Sequence, residues 1–321
     1  MEKIRSLQET KNPVPSMRAF NKPEYFYRPR QILTRIGYSF WTSKRSFEVV
    51  PLPWGLNIRV QPSEEIGRSL CTYGLYDLVV TEALFRLLEA GELVLDIGAN
   101  IGYMTAVMAT RLGSRGKVIS FEPARRLYHE LCWNVNQWAT DSRLASIEVH
   151  RMAVSSGIGR SKLYFPEGFN RNSGLATLER HDGETGGNLE TVPTTNLDGF
   201  IDSDQEVGLM KLDVEGHEPS VVRGSHGLLS KGAVRDVVFE DHGPYPSATQ
   251  RELRSFGFSI FRLTRTFCRP VLLDPEKRRG ALMDFPPNFL ATRDPVRARE
   301  RFAEPGWKAL RPFTRLGDWS T

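Results

Sequence analysis

Short apolar runs recur along the chain with helical stretches between them. ELVLDI (92–97), KVISFEP (117–123), SIEVHRMAV (146–154), VGLMKLDV (207–214), RDVVFED (235–241), FSIFRL (258–263) and NFLATR (288–293) are each too short for a buried helix and read as strands. YDLVVTEALFRLLEAG (76–91) instead places Leu78, Val79, Ala83, Leu84, Leu87 and Leu88 at helical spacing, and Gly91 stops it as a C-cap would. Helices are likewise predicted over 102–112, 124–138, 218–232 and 249–257. FEVVPLPWGLNIRVQP (47–62) reads as two short strands around the turn PWG. GRSKLYF (159–165) reads as a hairpin partner, and the polar, Gly-rich 170–188 as a loop.

Strands alternating with helices of this length predict βαβ units and a parallel sheet with both faces covered. The expected organisation is an arm and short hairpin over 1–64, one α/β domain over 65–295, and a basic tail over 296–321.

Composition narrows the function classes. The chain is 40% hydrophobic and 25% charged, as a globular protein is. No stretch approaches the ~18 apolar residues that suggest a membrane span. The first residues, MEKIRSLQETKNPVPSMR, lack the apolar core of a secretory leader, so a cytoplasmic location is expected. Cys71, Cys132 and Cys268 lie too far apart for a local zinc site or disulfide framework. The net charge of +5 gathers near residues 28, 265, 276 and 293. Without interleaved aromatics or glycine repeats, such ends read as solvated surface rather than a nucleic-acid grip. The pattern sets no oligomeric state.

The candidate chemistry begins at LVLDIGANIGY (93–103). In an open α/β sheet, ligands bind beyond the carboxyl ends of the strands. Gly98 allows a sharp turn open to a ligand, Gly102 allows close packing of the helix start, and Asn100 tolerates an unusual backbone angle. Neither G-x-G-x-x-G nor G-x-x-x-x-G-K-[ST] is present, which argues against a dinucleotide or nucleotide phosphate. Asp96 at the turn's entrance would repel pyrophosphate and attract an ammonium or sulfonium. Glu122, closing the next strand in SFEP, suits the 2′ and 3′ hydroxyls of a ribose. Ribose plus a cationic amino-acid end describes S-adenosylmethionine. The third strand end offers Met152 and Ala153, so backbone groups and an apolar sandwich would have to hold an adenine there.

DIGANIGYMT, SFEP, NSGLATL, VPTTNLDGF and LMKLDVEGHEPSVVRG occur in this order over roughly 70–263. This succession resembles the FkbM family of S-adenosylmethionine-dependent methyltransferases, LDVEGHE being its most specific part. The resemblance implies a Rossmann-like class I methyltransferase fold: a mostly parallel seven-stranded sheet, one strand antiparallel near an edge, with helices on both faces. It also implies methyl transfer to oxygen, commonly on sugars or natural products. Carried over by position, it assigns Asp96, Gly98, Asn100, Gly102 and Glu122 to the cofactor, and Ala99 in the turn and Ala153 at the third strand end join them as candidate contacts. The arm over 1–45 and the chain after about 265 lie outside it.

A hydroxyl acceptor must lose a proton. The fourth strand end offers Lys211, Asp213, Glu215 and His217, and strand alternation puts Lys211 and Asp213 on one side. His217 is the candidate general base, since histidine has an unperturbed pKa of ~6.5. Asp213 reads as an orienter, and Glu215 as either. Glu240, Asp241 and His242 leave the fifth strand toward the same crevice. Nothing in the spacing requires a metal. The N/D-P-P-Y/F stretch used on nucleobase amines is missing: DFPPNF (284–289) has Phe285 at the decisive place. The reading is therefore an O-methyltransferase acting on a glycan or small hydroxyl-bearing metabolite. An RNA methyltransferase and a non-catalytic binding module are the alternatives.

Overall fold

The computed structural model describes residues 23–24, 46–166, 176–179, 187–276 and 287–310. The strands are β1 (Glu48–Pro51), β2 (Asn57–Val60), β3 (Leu93–Ile97), β4 (Lys117–Phe121), β5 (Ser146–His150), β6 (Ala153–Val154), β7 (Gly159–Phe165), β8 (Asn188–Thr195), β9 (Val207–Leu212), β10 (Val234–Glu240), β11 (Ser259–Arg265), β12 (Pro270–Leu273) and β13 (Asn288–Thr292). The helices are α1 (Glu65–Tyr73), α2 (Leu78–Leu87), α3 (Tyr103–Leu112), α4 (Arg125–Trp138), α5 (Leu197–Phe200), α6 (Glu218–Arg223), α7 (His226–Ser230), α8 (Ala248–Ser255) and α9 (Pro295–Ala303).

The central sheet has the order β12-β11-β13-β10-β9-β3-β4-β5. The five strands from β10 to β5 pair in parallel, and β13 enters antiparallel between β10 and β11. This is the Rossmann-like class I methyltransferase arrangement, with one correction. The sheet has eight strands rather than seven, because the chain after β11 turns back at Thr266 and pairs Pro270–Leu273 antiparallel to it.

Alternation along the strands builds a core on each side. Val94 and Val118 face the layer of α2, α3 and α4, whereas Leu95, Ile97, Ile119 and Phe121 face that of α5 to α8. Asp96 shares Val94's side and meets Thr105 of α3.

The expected strand over 146–154 is two. β5 ends at His150, and Ala153–Val154 leaves the main sheet to pair with β8, which also takes β7 antiparallel. This step carries Met152 and Ala153 over the end of the sheet. The expected helix over 218–232 breaks at Gly224 and Ser225. Gly224 lies so close to the next layer that a Cβ there would fall 2.0 Å from the Ser155 carbonyl oxygen.

Both ends of the described chain are tied to the core. The side chain of Asn134 on α4 accepts from Arg59 N at 2.7 Å and donates to Ile101 O at 2.9 Å, joining the β1–β2 hairpin to the turn after β3. The fully buried Arg86–Glu82 pair holds residues 304–309 onto α2 through backbone carbonyl and N–H groups. No helix among the described residues is long and apolar enough to cross a membrane.

Candidate functional site

The turn after β3 is shaped by what lies behind it. Gly98 has φ +79°, and a Cβ there would lie 1.9 Å from the Asp213 carbonyl oxygen, so glycine is required on two counts. Gly102 has φ +93°, and a Cβ would meet Leu131 of α4 at 2.6 Å. The N–H groups of Gly98 and Ala99 both donate to Phe121 O at 3.0 Å, folding the turn over the end of β4. Asn100 adopts φ +51°, with its side-chain oxygen accepting from Ile101 N at 2.8 Å.

Glu122 joins this turn to the next strand end. One carboxylate oxygen accepts from Asn100 N at 2.8 Å and the other from Ala124 N at 2.9 Å. A carboxylate offers about four acceptor positions, so each oxygen keeps one for a ligand. Burial pushes the Glu122 carboxyl up to about 7, against the pull of the two N–H groups. Glu122 borders a narrow cavity of about 60 Å³ whose other walls include Leu127, Met152, Ala153 and Val154, with Ala176 and Leu178 alongside. An acid with acceptor positions left over, beside apolar walls, suits a nucleoside.

Asp96, expected to face a cationic ligand, is placed in the interior instead. It is fully buried, accepts from the Thr105 hydroxyl at 2.6 Å, and lies 3.2 Å from the Lys211 ammonium. The physical reason is the sheet's alternation, which aims Asp96 under α3. Lys211 also donates to Gly98 O at 2.9 Å and lies 3.4 Å from Asp213 Oδ2. Burial alone would lower this ammonium's pKa, but Asp96 and Asp213 outweigh it and hold it above the ordinary value. Asp96 thus fixes a cation that braces the turn from below.

A second cavity, about 280 Å³, opens on the other side of the turn. Gly98, Asn100 and Asp213 border both spaces. Among the described residues, the non-glycine positions with positive φ are Asp77, Asn100 and Glu215, and all three line this second cavity. Backbone strain of this kind, of order 1–3 kcal/mol per residue, clusters where function holds the chain in place.

The three candidate catalytic residues do not stay together. Asp213 stands at the junction, its side chain 40% exposed. Glu215 lines the second cavity, where burial first, and then Asp213, Glu240 and Glu218, push its carboxyl up to about 8. His217 sits on the opposite side, bordering the first cavity, because the chain reverses at Gly216 with φ +93°. Both its ring nitrogens are engaged, Nδ1 with Glu179 at 2.7 Å and Nε2 with Ser155 Oγ at 2.9 Å. Glu218 accepts from Val214 N at 3.2 Å and Gly216 N at 3.4 Å, capping the turn. Glu240 and His242 line the second cavity. They also border a third space of about 650 Å³, which Asp213, Glu215 and Asp241 share.

Sequence reading passed over Glu65, Tyr76 and Asp77, which complete the second cavity from α1 and the start of α2. Asp77 carried a usable signal: an acid just before an apolar-periodic segment is an N-cap, and here it accepts from Val80 N at 3.0 Å. Glu65 and Tyr76 carried none, since only folding brings α1 to the end of β9. Among the described residues, no group of three or more His, Cys, Asp or Glu side chains is arranged to hold a metal.

The profile of the Methyltransferase FkbM domain matches residues 96–260, just over half the chain. No curated protein matches the sequence. Among solved structures, a methyltransferase FkbM from Methylobacillus flagellatus KT is 18% identical, with a TM-score of 0.40 over 63% of this chain. This chain spans 43% of the length of that structure. An S-adenosylmethionine-dependent O-methyltransferase from Thermotoga maritima is 15% identical, covering 76% of this chain and 77% of its own, with a TM-score of 0.40. Fibrillarin from Aeropyrum pernix, with natively bound S-adenosyl-L-methionine, is 17% identical over 77% of this chain and 94% of its own, with a TM-score of 0.37.

Proposed function

Because this chain belongs to the FkbM methyltransferase family and takes S-adenosylmethionine as its methyl donor, we propose that it methylates a hydroxyl of a glycan or small metabolite. The observation that carries this reading is the position of Asp213, at the junction of a nucleoside-suited cavity and a carboxylate-lined one. When bound, the donor supplies an electrophilic methyl on a sulfonium. The Glu122 carboxylate accepts the ribose hydroxyls, and the apolar wall of Leu127, Met152, Ala153 and Val154 takes the base. Asp213 orients the acceptor hydroxyl at the junction, and Glu215 takes its proton. His217 acts from the donor side as a positioning residue for the segment bearing Glu179.

Glu122→Ala is expected to weaken donor binding on the order of 10–100-fold, since hydrogen bonds to a charged group are worth about 1.5–3 kcal/mol. The ionised carboxylate is the form that accepts the hydroxyls, so wild-type affinity should rise with pH through about 7 and level off above it. Calorimetric titration from pH 5.5 to 8.5 checks both, and an affinity independent of Glu122 and of pH would remove the ribose assignment.

Asp213→Asn is expected to reduce turnover roughly 10²–10³-fold, the usual cost of losing one preorganised electrostatic partner. The test of the function itself is transfer of labelled methyl from the donor to fractionated cell extract. Label in the sugar or small-hydroxyl fraction supports the proposal, and label in RNA overturns it.

Two observations weigh against RNA. Glu65, Asp77, Asp213, Glu215 and Glu240 would repel phosphate from the acceptor cavity. Several basic residues that an RNA reading would use as its grip are engaged internally: Arg297 with Asp236 at 3.0 Å, Arg301 with Glu89 at 2.9 Å, and Arg293 with the Val234 carbonyl at 3.2 Å. The basic stretches near 28 and over 277–280 lie outside the described residues.

A further inference from the structure

We propose that the acceptor is a hydroxyl-bearing amine, held by its ammonium in the cavity formed by α1, the start of α2 and the ends of β9 and β10. This rests on the methyl-transfer reading above and names the acceptor's charge.

The cavity of about 280 Å³ is bordered by carboxylates from separate elements: Glu65, Asp77, Asp213, Glu215 and Glu240. The facing basic side chains are Lys211 and His242. Lys211 is already matched by Asp96 and Asp213. His242, 69% exposed, meets Glu240 at 2.7 Å from the solvent side. Asp77 is occupied by Val80 N and Asn288 Nδ2. Acidic side chains therefore outnumber basic ones around this cavity.

The methyl donor does not balance them. Its sulfonium, ammonium and carboxylate sum to one positive charge, fewer than the acids around the cavity. Glu240, at the end of β10, and Glu65, at the start of α1, reach the space from elements other than the Gly98–Asn100 turn.

The remaining walls point the same way. Tyr76, Tyr103 and Phe239 line the cavity, and the rings of Tyr76 and Tyr103 meet edge to face at 6.2 Å. Aromatic rings beside carboxylates form the environment that recognises ammonium groups. Burial first, and then the neighbouring acids, push the Glu215 and Glu240 carboxyls above their ordinary values, so an ammonium beside them would also draw them into the ionised form.

This placement also decides which atom is methylated. An amine paired with carboxylates keeps its proton, so its nitrogen has no lone pair to offer. The neighbouring hydroxyl gives its proton to Glu215, its oxygen bonds to the methyl carbon, and the carbon–sulfur bond breaks with its electron pair going to sulfur.

The experiment uses the full chain with the donor's demethylated thioether product bound. Binding of glucosamine, N-acetylglucosamine, glucose and 2-aminocyclohexanol is measured by calorimetry, and labelled-methyl transfer is followed separately with the donor itself. Binding about tenfold or more tighter for the amines than for their neutral counterparts is expected. Glu240→Gln and Glu65→Gln, each confirmed folded by circular dichroism, should both narrow that gap. Equal binding of amine and neutral sugars, or a gap unchanged in both variants, overturns the proposal whatever the transfer assay shows. Amine-selective binding with label appearing on nitrogen overturns the placement of the ammonium. Transfer to a neutral sugar as efficient as to the amine removes this inference but leaves hydroxyl methylation standing. Label found in RNA alone removes the reading beneath it.

Discussion

Glu215→Gln is expected to lower turnover by about 10²–10⁴-fold, the contribution typical of a positioned general base. The sign of the pH dependence follows from the site. A base must be unprotonated to act, and burial with neighbouring Asp213, Glu240 and Glu218 raises the Glu215 carboxyl to about 8. Wild-type kcat/KM should therefore climb with pH and level off above about 8, and the residual activity of the variant should lose that limb. The amide is nearly isosteric, so the turn bearing Glu215 at φ +51° should survive the change. Donor affinity in the variant is the control: calorimetry should give the wild-type value, since Glu215 borders the second and third cavities and not the nucleoside side. A variant that keeps the pH limb would move the proton to another group.

Gly98→Ala is expected to abolish measurable donor binding and to destabilise the protein by on the order of 3 kcal/mol or more. Two costs add at this position. The backbone at φ +79° disfavours any side chain, and the added methyl would lie 1.9 Å from the Asp213 carbonyl oxygen. The clash can be relieved only by separating the turn from the end of β9, which pulls apart the strand ends on which donor and acceptor must meet. Gly55→Ala separates the two costs: its φ is +90°, yet nothing lies within 4 Å of the added methyl. Thermal melting should show a small loss for Gly55→Ala and a large one for Gly98→Ala. Equal losses would mean that backbone strain, not the approach to Asp213, sets the requirement for glycine.

The contrast between Glu122 and Asp96 shows how far sequence pattern reaches into a site. Both are acids at the ends of adjacent parallel strands, and both suggested ligand contacts. Glu122 lies one residue beyond the last residue of β4, so its side chain turns over the sheet end toward the cavity. Asp96 lies one residue before the end of β3, so the pleat turns it inward to Lys211 and Thr105. One position along a strand decides between ligand and interior, and strand ends cannot be placed that finely from apolar pattern. His217 makes the same point in a turn. It is two residues from Glu215, but the reversal at Gly216 sends the two side chains to different cavities.

By itself the sequence determined the alternation of strands and helices, the parallel sheet, the glycine turn after β3 and the acid just beyond β4. These are local or periodic properties, set by burial on one or two faces and by the few residues that tolerate left-handed backbone. The added β12 strand, the departure of Ala153–Val154 to a second sheet, the inward pairing of Asp96 with Lys211 and the acid-lined cavity were decided only by tertiary structure. Each depends on segments distant in the chain meeting at one sheet end, where α1, α2, β9 and β10 supply side chains that no spacing along the sequence relates.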